Sequence, residues 1–404
     1  MDQHQSKIEK LISDLCPNGV PMKELGGIAS YSKTRIAATE LNNENYVGVD
    51  NLLPNKKGKT LSNYVPTTGK LTRFEIGDIL LGNIRPYLKK IWRADHFGGT
   101  NGDVLVIRIN EDESKRLSSE FLYYILSSDS FFSFDMKFSR GAKMPRGNKS
   151  AIKKFKIPIP PLDIQKEIVK ILNTFTELEA ELEAELEARK KQYEHYRSQL
   201  LTFPEGGVRR MALSEICMPT NNIKWKETKE SYRYIDLTSV SRENRMITET
   251  LEINAESAPS RAQKIVEKDD IIFATTRPTL RRFAIISDNY AGEVASTGYC
   301  VLRADISKVL PKWIYYNIST LVFNDYVEKY QEGSAYPSIS DTKVKAFKMP
   351  VPDIFEQKRI VSILDKFDAL VNDISVGLPA EITARRLQYE HYRSELLTFK
   401  EYAR

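Results

Sequence analysis

Residues 192–203 read QYEHYRSQLLTF, and residues 388–399 read QYEHYRSELLTF. A near-verbatim return of twelve residues restricts the chain to architectures that use one unit twice. Further matches run upstream at a constant offset of 192: Pro158-Ile159-Pro160 with Pro350-Val351-Pro352, and Gln165 to Leu172 with Gln357 to Leu364. The same offset pairs Asp78-Ile79 with Asp270-Ile271, Arg85-Pro86 with Arg277-Pro278, Lys89-Lys90 with Arg281-Arg282, Gly141 with Gly333, and Pro145 with Pro337. At the end the offset grows to 196, one four-residue step. Leu11-Ile12, Pro17 and Gly19-Val20 resemble Leu200-Leu201, Pro204 and Gly207-Val208, the segment that follows the first copy of QYEHYR. The opening residues therefore look like the tail of a unit, which makes the repeat circular.

The first copy begins inside the stretch ELEAELEAELEARKKQYEHY at 177–196, whose Glu-Leu-Glu-Ala tetrads begin at Glu177, Glu181 and Glu185. Ala, Leu and Glu favour helix, and no Gly or Pro intervenes. The pattern predicts one helix from about Leu162 to Leu201. At ~1.5 Å per residue that is a rod of roughly 60 Å, long enough to act as a spacer. Leu178, Leu182 and Leu186 would form a stripe flanked by carboxylates. The second copy of the rod carries Gly377 and Pro379, which should break or kink it. The rods have matching apolar residues, Ile168, Ile171, Leu172 and Phe175 against Ile360, Ile363, Leu364 and Phe367. Pairing the two rods, most simply antiparallel, would bury both stripes.

The blocks before each rod read as mixed helix and strand. In the first, 46–53, 78–84, 89–94 and 103–109 have strand character and 120–136 reads as a helix. In the second, 234–240, 270–275, 282–287 and 294–303 read as strands and 312–330 as a helix. The expected class is α+β: two similar α/β domains separated by two long antiparallel helices, arranged as a circular pseudo-two-fold repeat. The boundaries this implies are 1–20 for the segment completing the repeat, 21–157 and 204–349 for the domains, and 158–203 and 350–404 for the helices. Charge is uneven. Residues 31–156 hold 22 Lys and Arg against 13 Asp and Glu, 219–348 hold 19 against 17, and the rod 162–203 holds 6 against 9. A polyanion would meet the blocks and not the rod. Three isolated cysteines without metal-ligand spacing (Cys16, Cys217, Cys300) and the lack of an apolar run of membrane-spanning length lead us to expect a cytoplasmic protein.

Two α/β blocks, a Pro-Ile-Pro-Pro-Leu…Gln entry at 158–165 and a Gln-Tyr-Glu-x-Tyr-Arg exit at 192–197 resemble the specificity subunits of type I DNA restriction–modification enzymes. The tetrads resemble those of the subgroup often called type IC. The resemblance implies two target-recognition domains, each reading one half of a bipartite double-stranded DNA sequence. It also implies helices that hold two methyltransferase subunits, with motor–endonuclease subunits attached through them. It implies no catalysis and no cofactor on this chain, since S-adenosylmethionine, ATP and Mg are used by the partners. The residues agree, because no phosphate-cradling loop or methyltransferase motif is present. Pro352-Asp353…Glu356-Gln357-Lys358 imitates a nuclease signature, but it stands at a helix start, where Asp353 suits a capping role. His195 and His391 each stand without a ligand or nucleophile. A self-sufficient methyltransferase or nuclease and a protein-only coiled-coil scaffold are the alternative readings.

DNA is contacted mostly by Arg, Lys, Asn, Ser and Thr on loops. The first candidates are Asn83, Arg85, Tyr87, Lys89 and Lys90, with Thr276, Arg277, Arg281 and Arg282 in the matching loop of the second block. The retained Arg85 and Arg277 suit phosphate anchoring, while Tyr87 opposite Thr279 suits divergent readout. A structural reading, in which Arg85 and Arg277 pair with a buried acid, stays open. A second group is Arg140, Lys143 and Arg146 opposite Ser334 and Tyr336, around Gly141 and Gly333. A third is Lys33, Thr34 and Arg35, and Asn221, Asn222 and Lys224. Phe121, Tyr123, Tyr124, Trp313, Tyr315 and Tyr316 read as core. Leu172, Phe175, Leu178, Leu182, Leu186, Leu364 and Phe367 are expected to pair the rods.

Overall fold

In a computed structural model, residues 2–242, 244–372 and 377–402 are described. The chain divides into two compact units. One comprises Met1–Ala180 and Arg385–Arg404, the other Glu181–Ala384. The first is thus assembled from both ends of the chain.

In the first unit a four-stranded antiparallel sheet runs in the order Ala29–Tyr31, Val104–Ile109, Ile79–Gly82, Ile91–Arg93. The central strand Ile79–Gly82 is buried throughout, as its uninterrupted apolar run requires. A three-stranded sheet of Arg35–Ala37, Lys70–Phe74 and Gly98–Thr100 lies beside it in sequence. Met22–Glu24 pairs with Lys156–Pro158 and so ties the start of the block to its end. The second unit repeats this plan. Its order is Cys217–Met218, Tyr299–Ala304, Ile271–Ala274, Phe283–Ile285, and Arg210–Ala212 pairs with Lys348–Pro350. The register repeats too: Ile79 faces Arg93 and Ile271 faces Ile285. The other sheet has four strands here, with a parallel pairing of Tyr232–Ile235 and Val294–Ser296.

One carboxylate anchors the central strand of each unit. Asp78 is buried and takes Arg108 through two bonds of 2.8 and 2.6 Å, while accepting from the Glu75 amide. Asp270 is buried in the same way against Arg303 (2.9 and 2.8 Å) and the Glu267 amide. Removing one partner of such a pair strands the other charge. Asp270→Ala is therefore expected to cost about 3 kcal/mol, read as a lower urea midpoint for the full chain. A loss under about 0.5 kcal/mol would show that the pair is solvated.

The expected long helix spans Leu162–Leu200. It opens where Gln165 donates to the carbonyls of Arg116 and Pro160, and Gln357 repeats this on Lys308 and Pro352. The unit boundary falls inside the tetrads. In the first unit Phe175 meets Tyr389 and stacks on Tyr392, centroids 5.8 and 5.7 Å apart, and Arg386 binds Glu179 at 2.5 Å. In the second, Tyr193 and Tyr196 stack on Phe367, and Tyr193 donates to Asp368. In both units rising numbers on the long helix meet falling numbers on the partner, so the pairing is antiparallel. Leu172 and Leu364 are fully buried. Leu178, Leu182 and Leu186 are only half-buried, and Glu179 and Glu183 share that exposure. A spacing of four advances about 400°, so the row of leucines drifts by about 40° per tetrad and stays half-exposed along its length. The pairing face also admits a carboxylate, Glu179, matched by Arg386.

Several sequence expectations are corrected. Residues 46–53 are turns and not a strand, because the Asn51 side chain accepts from the Gly48 amide. Residues 120–136 form two helices, Ser119–Leu126 and Asp129–Phe138. Ser127 and Ser128 hydrogen-bond back to Tyr124 and Ile125, and Ser128 then caps the next helix through the Phe131 amide. Ser319 and Thr320 split 312–330 in the same way, giving Pro311–Ile318 and Leu321–Tyr330. The stretch 294–303 divides at Gly298 into Val294–Ser296 and Tyr299–Ala304. The second rod is Ile354–Asn372 followed by Leu378–Leu396, and residues 373–376 lie outside the described residues. Asp353 caps the first of these through the Glu356 amide at 2.9 Å.

The chain's far end completes the first unit. Val20 donates to Lys400, Tyr402 donates to Val20, and Lys156 pairs with Glu401 at 3.2 Å. Gly19 has φ +101°, and a Cβ there would stand 2.6 Å from the Lys400 carbonyl, so only glycine lets the two segments approach.

Candidate nucleic-acid interface

Each unit joins two of the loops singled out in the sequence. In the first, the Arg85 amide donates to Pro145 at 2.7 Å, Ile84 bridges Arg146, and the Gly147 amide donates to Asn83. In the second, Arg277 donates to Pro337 at 2.7 Å, Thr276 bridges Ser338, and Ile339 donates to Thr275. The hairpin tips close through Arg140 with Arg146 and Glu332 with Ser338. Gly141 and Gly333 sit there at φ +102° and +92°, left-handed positions that favour glycine.

The other half of each platform holds unusual backbone. Arg85 and Lys89 flank the turn Pro86–Leu88 with φ of 53° and 50°, and Arg277 and Arg281 flank Pro278–Leu280 with 47° and 54°. Left-handed non-glycine residues are uncommon and cost roughly 1–2 kcal/mol each. Four at matching places mark a conformation held by its surroundings, here the buried Pro86 and Pro278 and the two Pro carbonyls.

The first side chain of each platform turns outward. Arg85 is exposed, with no ion pair among the described residues, and Arg277 lies over the face of exposed Tyr336 at 4.7 Å. Tyr87, Arg140, Lys143 and Ser334 are exposed, and Arg146 is exposed while holding Asp103 at 3.2 Å. The basic pairs that follow are turned inward. Lys90 donates to Val49 at 2.7 Å, Lys89 binds Asp129 at 2.7 Å, Arg281 donates to Ser319 and Arg282 to Leu237. Backbone carbonyls inside the fold need donors, and Lys90, Arg281 and Arg282 supply three of them, while Lys89 pairs with a carboxylate. Asn83 is buried and joins the platform through its backbone, and Thr276 is half-buried.

The third group belongs to the other sheet of each unit. Arg35 begins the strand Arg35–Ala37 and donates to Thr72, Thr34 bonds Ser32, and Lys33 is exposed. Asn222 bridges Lys264, Asn221 accepts from Ile265, and Lys224 pairs with Glu227 at 3.2 Å. Phe121, Trp313, Tyr315 and Tyr316 are buried core. Among the described residues no group of acids, histidines and cysteines could hold a metal ion, and no helix is long and apolar enough to cross a membrane.

Sequence reading missed Asp135. It is 1% exposed, both of its oxygens lack a partner, and so does Asn83 Oδ1. A Cβ on Gly147 would stand 2.7 Å from Asp135 Oδ1 and 2.9 Å from Asn83 Oδ1, so glycine makes room for both. The repeat counterparts are Val327, Thr275 and Ile339, all buried, with the Thr275 hydroxyl satisfied on the Gly298 carbonyl at 2.9 Å. That contrast was readable at the fixed offset. Burial pushes the Asp135 carboxyl up to about 6. A raised acid binds its proton more tightly folded than unfolded, so its contribution to stability is present below about pH 4 and is lost as pH rises through 6. Asp135→Asn should be more stable than wild type at pH 8, by at most about 3 kcal/mol at ~1.4 kcal/mol per unit, with the gap closing at pH 4. Urea midpoints at the two pH values measure this, and an equal gap at both would overturn it.

The duplicated platforms define a class: a two-module α/β chain presenting arginine-bearing loops in each module. The family model for the type I restriction modification DNA specificity domain matches residues 17–188 and again 207–384. The chain belongs to this family. It is 36% identical over 274 residues to the EcoR124I/EcoR124II specificity subunit of Escherichia coli, covering 60% of this chain and 63% of that protein, just under two thirds of its length. It is 27% identical over 413 residues to a putative type I restriction enzyme specificity subunit of Haemophilus influenzae, covering 99% and 100%. A solved structure from work on assembly and conformational transition of the type I R-M system superposes with a TM-score of 0.62 at 17% identity, covering 94% of this chain and 98% of that one. The type I S subunit of M. genitalium gives 0.53 at 15%, covering 93% and 96%. These two likenesses show a shared fold.

Proposed function

We propose that the chain is the DNA-specificity subunit of a type I restriction–modification enzyme. Each unit contacts one half of a bipartite double-stranded target, and the paired helices hold two methyltransferase subunits, through which motor–endonuclease subunits attach. The chain itself performs no chemistry; S-adenosylmethionine, ATP and Mg serve its partners in the cytoplasm. The observation that carries this reading is the duplicated platform, with its left-handed Arg85 and Arg277, in a chain of the DNA-specificity family. Phosphate contacts fix register while neighbouring side chains read bases, which suits a retained arginine beside divergent Tyr87 and Thr279. The domains are assigned to 21–157 and 204–349 and the helices to 158–203 and 350–404.

Exchange of residues 31–156 for the equivalent block of another family member is expected to change one half-site and leave the other intact. Methylated-motif sequencing of DNA from cells carrying the hybrid with its methyltransferase subunits reads this directly. Changes in both halves would refute one unit per half-site. The purified chain alone should neither cut nor methylate DNA, and activity without partners would overturn the non-catalytic role.

A further inference from the structure

The repeat allows one charge cluster to be compared with its own copy. In the first unit Arg393, 3% exposed and lying over the Tyr389 ring, reaches Glu390 and stands 3.7 Å from Asp129. Lys89 meets the same Asp129 oxygen at 2.7 Å, and Lys56, left-handed at φ 64°, at 3.6 Å. Three cations thus share two carboxylates, and Asp129 is the common partner.

In the second unit the cations recur as guanidinium groups. Arg197 occupies the place of Arg393, 4% exposed and over the Tyr193 ring at 5.1 Å. Arg281 takes the place of Lys89, and Arg245, left-handed at φ 57°, supplies the third charge. The counterpart of Asp129 is Leu321, 61% exposed, and the second unit's own acids there are Glu194 and Asp368, the latter accepting from Tyr193 at 3.1 Å. Among the described residues the Arg197 guanidinium makes no hydrogen bond or ion pair, although Arg393 makes both. Arg245 lies over Phe283 with its Nη1 buried and unpartnered. Burial, and then the charges of Arg245 and Arg197, lower the hold of Arg281 on its proton, with Glu194 opposing. Leu321 is also the first residue of the helix Leu321–Tyr330, whose positive end Asp129 complements in the other copy. Like charges left together in a partly buried place attract an anion from outside.

We propose that the second unit carries an oxyanion site, formed by Arg197, Arg245 and Arg281 beside Leu321, that takes a carboxylate side chain from a protein partner where the first unit uses its own Asp129. A carboxylate is the favoured occupant because a carboxylate fills the matching place in the repeat. The site also distinguishes the two otherwise similar units: one is closed by its own acid and the other is open to a partner's.

The test uses the full chain, with inorganic phosphate and acetate as probes at matched ionic strength. Phosphate or acetate should raise the unfolding temperature above that in chloride, by about 2–4 °C at ten times the dissociation constant. Leu321→Asp should abolish the rise and be more stable than wild type in chloride; Leu321→Asn, polar but uncharged, should keep the rise. Asp129→Leu should add a second anion-dependent rise, which keeps the proposal testable should Leu321→Asp fold poorly. Equal anion shifts in wild type and Leu321→Asp, or no shift in either, would overturn the site. The source of the anion is read from DNA binding. An unchanged salt dependence in Leu321→Asp supports a protein carboxylate, whereas a slope smaller by about one would identify a DNA phosphate and overturn that assignment.

Discussion

Deleting one tetrad, residues 181–184, is expected to shorten the preferred gap between half-sites by one or two base pairs while both half-sites stay the same. Four residues at ~1.5 Å remove about 6 Å of helix, against roughly 3.4 Å of duplex rise per base pair. The deletion falls at the unit boundary, between Phe175 with its partners Tyr389 and Tyr392 and Tyr193 with its partner Phe367. It removes the first four residues of the second unit and leaves the aromatic residues that pair the helices in each unit in place. Four residues also turn the helix by about 400°, a net rotation near 40°, so affinity should fall even at the new optimum. Methylation assays on targets of graded gap length, with the methyltransferase subunits present, give both quantities. An unchanged optimum would end the proposal that the helix measures distance.

The second large effect separates the outward arginines from the inward basic residues. Arg85→Ala and Arg277→Ala should each weaken DNA binding about tenfold and lower the salt slope by about one, with the unfolding midpoint within about 0.5 kcal/mol of wild type. Arg282→Ala should do the reverse. It leaves the Leu237 carbonyl without its donor, at a cost of about 1–3 kcal/mol of stability, while the salt slope stays put. Lys90→Ala should behave likewise through Val49. Salt-dependent DNA titrations and urea midpoints on the same four variants decide the matter. Arg85→Ala failing through stability alone would restore the structural reading of that residue.

The large features were legible because their causes are local or are stated twice. Uninterrupted Ala, Leu and Glu marked a helix that spans Leu162–Leu200, and the fixed offset revealed the duplication whatever each segment folds into. Strands such as Ile79–Gly82 and Val104–Ile109 announced themselves as short apolar runs, the second rich in β-branched residues. The misses share a different cause. Ser127-Ser128 and Ser319-Thr320 break helices through side chains that outbid the backbone, a competition that apolar periodicity does not register. Joining the Arg85 loop to Pro145, sixty residues on, depends on tertiary closure. So does the direction taken by Lys90 or Arg282, since a basic residue that feeds a buried carbonyl reads in sequence like one that faces solvent. Tetrad drift was computable from helix geometry, yet the half-buried Glu179 became intelligible only beside Arg386.

The first unit borrows residues 385–402 from the far end of the chain, through Lys400, Glu401 and Tyr402 on Val20 and Lys156. On a ribosome, the module made first would therefore be finished last, after its twin has already emerged whole. Trimming that distal stretch should injure the module most remote from it in sequence. A rearranged gene that places residues 385–402 ahead of the first module would let each module mature in the order it is synthesised.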